Sequence, residues 1–234
     1  MAAVLLAACT ALVIRNIPRA SPAPTAPHVA SLAAGGRARA TLDVVTGTLV
    51  LTIGVADLRA SGTLLRVSTP AGGPPPQLRV ADGTAGPGQG AVVYLTATDA
   101  AAVTVTLNAA VSWQLDLAGG TKRTVADLGL GLLAGVAVTK GSDVIDLTLP
   151  RPAGSVPIRL AAGASQLLFS VPDGVPVRVR AAAGAGEISL DGRDHSHVAD
   201  GTVFTTTGWA PGAAGYDIDA VAGAARIAVT ARAD

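Results

Sequence analysis

The strongest constraint on what this chain can fold into is a glycine-led apolar ladder that recurs through its second half. Gly141-Ser-Asp-Val-Ile145-Asp-Leu147, Gly163-Ala-Ser-Gln-Leu167-Leu-Phe169, Gly184-Ala-Gly-Glu-Ile188-Ser-Leu190 and Gly223-Ala-Ala-Arg-Ile227-Ala-Val229 share one pattern, and a looser copy starts at Gly120. The leading glycines stand 21, 22, 21 and 39 residues apart. A period of about 20–50 residues marks a stacked architecture, in which one unit cannot bury its apolar face without its neighbours. A further strand precedes each glycine, at residues 113–117, 136–138, 156–160, 175–179 and 216–219. The alternation has period two, so the apolar side chains share one face while Arg159, Arg178, Asp146 and Ser189 take the other.

Two architectures fit this pattern. In a single-stranded β-solenoid (a β-helix) each unit of about 21–22 residues is one coil, equivalent strands stack in parallel, and Ile145, Leu167 and Ile188 form an inward column in adjacent coils. In a β-sandwich the same strands, about 10–11 residues apart, run antiparallel. The chemistry repeats at the full unit rather than at every strand, which favours the solenoid. Pro157 and Pro176 belong at corners or strand starts, because an interior proline removes a ladder hydrogen bond.

Composition agrees with a β fold. Half of the residues are hydrophobic, yet only 3% are aromatic and 28 are glycine, which suits narrow cores of small and β-branched side chains. The net charge is +1 with no basic tract, so the electrostatic footprint of a nucleic-acid binder is missing. Lysine occurs only at Lys122 and Lys140.

The N-terminus divides into an apolar signal or anchor segment at 1–14 and a proline-rich linker at 15–37 holding Pro18, Pro22, Pro24 and Pro27. A β-rich domain follows at 38–234, with the repeat over 111–234. Within 41–53, two strands are expected to pair across a tight turn at Gly47, and residues 71–90 read as an irregular loop with a short strand at 77–80. The thirteen residues 2–14 would make a helix of about 20 Å, shorter than a bilayer core of about 30 Å. Leu6-Ala7-Ala8-Cys9 resembles the lipobox of bacterial lipoproteins, which implies lipidation at Cys9, although no basic residue precedes the run. A membrane helix, a lipoprotein signal and an ordinary terminus all stay open.

From residue 113 onward the chain resembles the DUF4097 family of adhesin-like, or toast-rack, bacterial cell-envelope domains. The residues that carry the likeness are Trp113-Gln-Leu-Asp-Leu-Ala-Gly-Gly120, Leu147-Thr-Leu-Pro150 before Gly154-Ser-Val-Pro157, Val171-Pro-Asp-Gly-Val-Pro-Val177 before Gly184-Ala-Gly186, and Ile227-Ala-Val229. The resemblance implies a single-stranded β-helix outside the cytoplasm, held to the membrane by its N-terminus. It brings no catalytic residues. An unknown envelope protein is the expected partner, and no cofactor is implied.

Little in the sequence points to a reaction. Asp191-Gly-Arg193-Asp194-His195-Ser196-His197, followed by Asp200, holds the only metal-capable grouping, with His195, His197 and Asp194 as candidate ligands. The i, i+2 histidines lack further ligands at a recognisable spacing, so a solvated loop is the plainer reading. Carboxylate-driven glycan cleavage needs acids grouped on one face, whereas Asp143, Asp146, Asp173, Glu187 and Asp191 are scattered. There is no Gly-x-Ser-x-Gly elbow. Trp113 reads as core, and Trp209 as part of an inserted loop that caps one end of the stack or stacks on a sugar. The expected function is therefore a non-enzymatic, membrane-tethered scaffold or stress-response accessory. The alternative is a carbohydrate-binding or carbohydrate-active β-helix.

Overall fold

In a computed structural model of the chain, residues 26–81 and 90–233 are described. The 1–14 segment and Cys9 lie outside them. The described residues form nineteen strands and no helix. They are β1 (His28–Ala33), β2 (Arg39–Val44), β3 (Thr48–Ala56), β4 (Thr63–Thr69), β5 (Gln77–Ala81), β6 (Ala91–Thr96), β7 (Ala102–Asn108), β8 (Ser112–Leu117), β9 (Thr121–Asp127), β10 (Leu132–Val138), β11 (Ser142–Thr148), β12 (Ser155–Leu160), β13 (Ala164–Pro172), β14 (Val177–Ala181), β15 (Ala185–Leu190), β16 (Arg193–Val198), β17 (Thr202–Thr205), β18 (Gly215–Ala220) and β19 (Ala224–Arg232). The protein is mostly β.

Two sheets share the strands. The first runs β1-β4-β7-β3-β9-β11-β13-β19-β15-β16, the second β17-β14-β18-β12-β10-β8-β2-β6-β5. The two sheets therefore step together as strand pairs in the order β6/β7, β2/β3, β8/β9, β10/β11, β12/β13, β18/β19, β14/β15. Every contact between neighbouring pairs is parallel. Antiparallel strands occur only at the two ends, where β4, β1 and β5 close one end and β16 and β17 the other.

The apolar columns run through the stack as the ladder predicts. In the first sheet Val103, Leu51, Thr124, Ile145, Leu167, Ile227 and Ile188 are successive register partners, and all are buried. Thr124 is the one polar member, and Thr121 satisfies it through a 2.7 Å hydroxyl contact. In the second sheet Val93, Leu42, Leu115, Val136, Ile158, Ile218 and Val179 form the matching column. Alternate residues of the two sheets thus meet in one core.

Five expectations are corrected. Ile188 does not follow Leu167, because the C-terminal pair β18/β19 slides between β12/β13 and β14/β15 and puts Ile227 between them. For the same reason the 39-residue step is not two periods along the stack. Its extra residues form the capping strands β16 and β17, after which the chain turns back. Strands β2 and β3 do not pair across Gly47 but lie in different sheets as one strand pair of the stack, so the stack extends well before residue 111. Strand β1 begins inside the segment read as linker. Pro157 sits within β12 rather than at its start, and it is tolerated because the β10–β12 ladder starts only at Ile158. Pro176, by contrast, immediately precedes β14, and its carbonyl accepts a hydrogen bond from Tyr216 N–H.

Charge explains the intercalation. Stacked directly, β12 and β14 would place Arg159 and Pro157 beside Arg180 and Arg178, and like charges directly opposite destabilise a sheet. With β18 between them, Asp219 lies 3.2 Å from Arg159 and 3.3 Å from Arg180, and Asp217 lies 2.5 Å from Arg178. The corner glycines follow the same order. A Cβ on Gly47 would meet Gly120 O at 2.7 Å, and one on Gly163 would meet Gly223 O at 3.3 Å. Glycine is needed here because successive corners approach so closely.

Candidate functional site

Three places on the folded domain gather polar or aromatic groups. The first is the end of the stack closed by β16 and β17. Phe204 on β17 packs its ring 4.5 Å from His195 on β16, so that histidine is tied into the cap. Asp194, His195 and His197 all lie on β16, which pairs antiparallel with β15. Their segment is therefore an edge strand and not a loop. Among the described residues no group of three or more His, Cys, Asp or Glu side chains is placed to hold a metal ion.

At the same end a cavity of about 240 Å³ brings together Asp173 and Asp191 with Thr206 and Thr207. These two acids stand far apart in sequence, and only the fold places them together. The volume is below the range of about 300–1,000 Å³ usual for small-molecule sites. Asp143, Asp146 and Glu187 are not part of it. Trp209 has the Arg178 guanidinium over its ring at 5.6 Å. One of its faces is thus occupied by the protein itself, an attraction of the cation–π kind. Trp113 is core, as its ladder position implies. Its indole N–H donates to Asn108 O at 3.0 Å.

The second place was not read from the sequence. On the outer face of the second sheet, Asp43 of β2 is in register with Asp116 of β8, and with Tyr94 of β6 on its other side. Gln114 Nε2 donates to Asp116 Oδ1 at 2.9 Å, whereas Asp43 Oδ1 is buried without a partner. Burial first, and then the Asp116 charge, push the Asp43 carboxyl above its usual pKa. Its sequence signal was the shared pattern of Leu42-Asp43-Val44 and Leu115-Asp116-Leu117, which becomes a pair only once the register is known. Two carboxylates and an amide do not make a catalytic set.

The third place is buried and structural. Tyr216 is fully enclosed, and its hydroxyl donates to Pro150 O at 2.5 Å; burial raises its phenol pKa and the nearby Arg232 opposes that. Asn108 donates through Nδ2 to Thr63 O at 2.7 Å and accepts from Ala110 N–H at 3.0 Å. It clamps the end of β7 to the start of β4.

No family model matches the chain, and no curated protein matches it. Among solved structures, a candidate cell adhesion protein from Clostridium sporogenes has the same fold, with a TM-score of 0.63 at 15% identity. The match covers 87% of this chain and 99% of that one. Identity this low shows the fold alone. Among the described residues no helix is long and apolar enough to cross a membrane.

Proposed function

We propose that this chain is a non-enzymatic cell-envelope protein of the DUF4097 kind, tethered to the membrane by its N-terminus and working outside the cytoplasm. Its stacked coils form a β-solenoid whose regular faces contact another envelope protein. The observation that carries this reading is the unbroken order of seven parallel strand pairs, which builds long, regular faces for contact. The fold it shares with a candidate cell adhesion protein supports an interaction role at the cell surface. The apolar run 2–14 and the prolines that follow it support the tether.

Fractionation tests the proposal. The protein made from its own gene should sediment with membranes, and protease added to spheroplasts should degrade it. Recovery of intact protein from the cytosol after that treatment would overturn both the tether and the envelope role. A polysaccharide-hydrolysis screen addresses the carbohydrate-active alternative, since turnover dependent on Asp173 or Asp191 would replace this reading with that one.

A further inference from the structure

Both long edges of the stack expose apolar side chains, Leu130 and Leu132 on one at 83% and 51%, but the lysines stand on the other. One edge carries the glycine corners that lead from the second sheet into the first. On it stand Val45 and Leu49, 46% and 59% exposed, with Val50 beside them. Leu49 shares a shallow groove with Asp99, Ala100, Ala101, Thr121 and Lys122. Lys140 approaches the neighbouring corner at Gly120. Both lysines of the chain are therefore on this edge, with Arg123 in register beside Val50. Asp99 and Asp143 are the carboxylates facing the same stretch.

The chain also enters the fold here. His28 is opposite Thr69, Ser68 is opposite Thr104, and Ala102 is opposite Val50. The first residue of β1 thus lies at the level of the glycine corners, three strand spacings (about 14 Å) from the Leu49 corner. Val29, next to that entry point, is 57% exposed. Residues 1–25, with the apolar run 2–14, precede it.

We infer that the corner edge at Val45, Leu49 and Val50 is a lipid-contacting surface, on which the domain lies against the membrane that holds its N-terminus. This rests on the tether reading above and adds to it an orientation: the strands point at the bilayer rather than lying parallel to it. Exposed branched side chains give such an edge apolar area to bury in the headgroup region. The lysines bury their stems there and keep their ammonium groups at the phosphates.

Cys9 is the only cysteine, so the full chain can be coupled through it to a maleimide lipid. This supplies a tether whether or not the native segment inserts. Leu49→Trp and, on the opposite edge, Leu130→Trp are compared on phosphatidylcholine–phosphatidylglycerol vesicles with and without brominated acyl chains, after subtraction of the parent emission. The tryptophan introduced by Leu49→Trp should lose half or more of its emission to the brominated chains, and the one introduced by Leu130→Trp should keep its own. Lys122→Glu with Lys140→Glu should weaken the quenching. No quenching at the Leu49 position, or equal quenching at both, overturns the inference. Failure of the uncoupled chain to sediment with vesicles would instead count against the tether, and leaves the coupled result readable.

Discussion

Reversing the charge of Asp219 tests the order of the coils. Its carboxylate lies between Arg159 and Arg180, at 3.2 and 3.3 Å, and is itself only 20% exposed while the two arginines are 61% and 43% exposed. Partly exposed ion pairs contribute about 0.2–1 kcal/mol each. Asp219→Arg removes two of them and adds two like-charge contacts of similar size between opposed residues. The expected loss is about 1–3 kcal/mol, and a domain of this size shifts its Tm by about 2–4 °C per kcal/mol.

Urea titration and thermal melting of variant and parent measure that loss, and salt identifies its origin. The screening length falls from about 10 Å at 0.1 M to about 3 Å at 1 M, so the gap should narrow in high salt. Restoring alternation by adding Arg159→Asp and Arg180→Asp to Asp219→Arg should recover most of the stability. A loss that ignores salt and is not rescued by the triple exchange would refute the claim that charge selects the position of β18.

Other perturbations read other parts of the structure. Asn108→Leu leaves the Thr63 carbonyl without its partner in a buried corner, while the exposed Ala110 N–H can turn to water, and the change should cost about 1–3 kcal/mol in urea unfolding. Burial, and then the Asp116 charge, raise the folded pKa of Asp43 above its ordinary value, so its charge costs stability above the folded pKa and the cost disappears as pH falls through that value. Asp43→Asn should therefore raise the Tm at neutral pH and lose its advantage below about pH 4, whereas a neutral-pH loss would contradict the sign. Ile145→Asp places an unpaired charge in the buried column at a cost of several kcal/mol and should abolish the folded state, while Asp146→Ser on the outer face should be tolerated in the same expression and melting assay.

The strands, their faces and the spacing of the strand pairs are legible in the sequence from the period-two ladder. It could not order the coils. Ile145, Leu167, Ile188 and Ile227 are interchangeable neighbours, because any one apolar rung packs on any other. The information that fixes the order lay on the outward positions, in Arg159, Arg178 and Arg180 against Asp217 and Asp219, where it is visible only once a candidate register is laid out. The early coils were hidden for a related reason. Three residues join β2 to β3, and a connection that short serves a hairpin as well as a corner. Asp43 and Asp116 stand 73 positions apart and become adjacent only through β2–β8 pairing.

Placing coils from the ends of the chain inside the stack has a physical consequence. A coil at the end of a stack has one neighbour, exposes an apolar rung and needs a cap. Terminal segments fray most easily, because nothing holds them beyond their last contact. Here β2/β3 and β18/β19 are each held by neighbours on both sides, so neither is left as an end of the stack. The caps come instead from internal segments, β4 and β5 at one end and β16 and β17 at the other, whose chain is fixed before and after. Antiparallel strands suit that position, since each can turn back on the rung it covers without a long crossover. Only β1 departs from the rule, as an outer strand paired to β4 alone. The strand pairs behind it, from β2/β3 to β18/β19, keep a neighbour on each side.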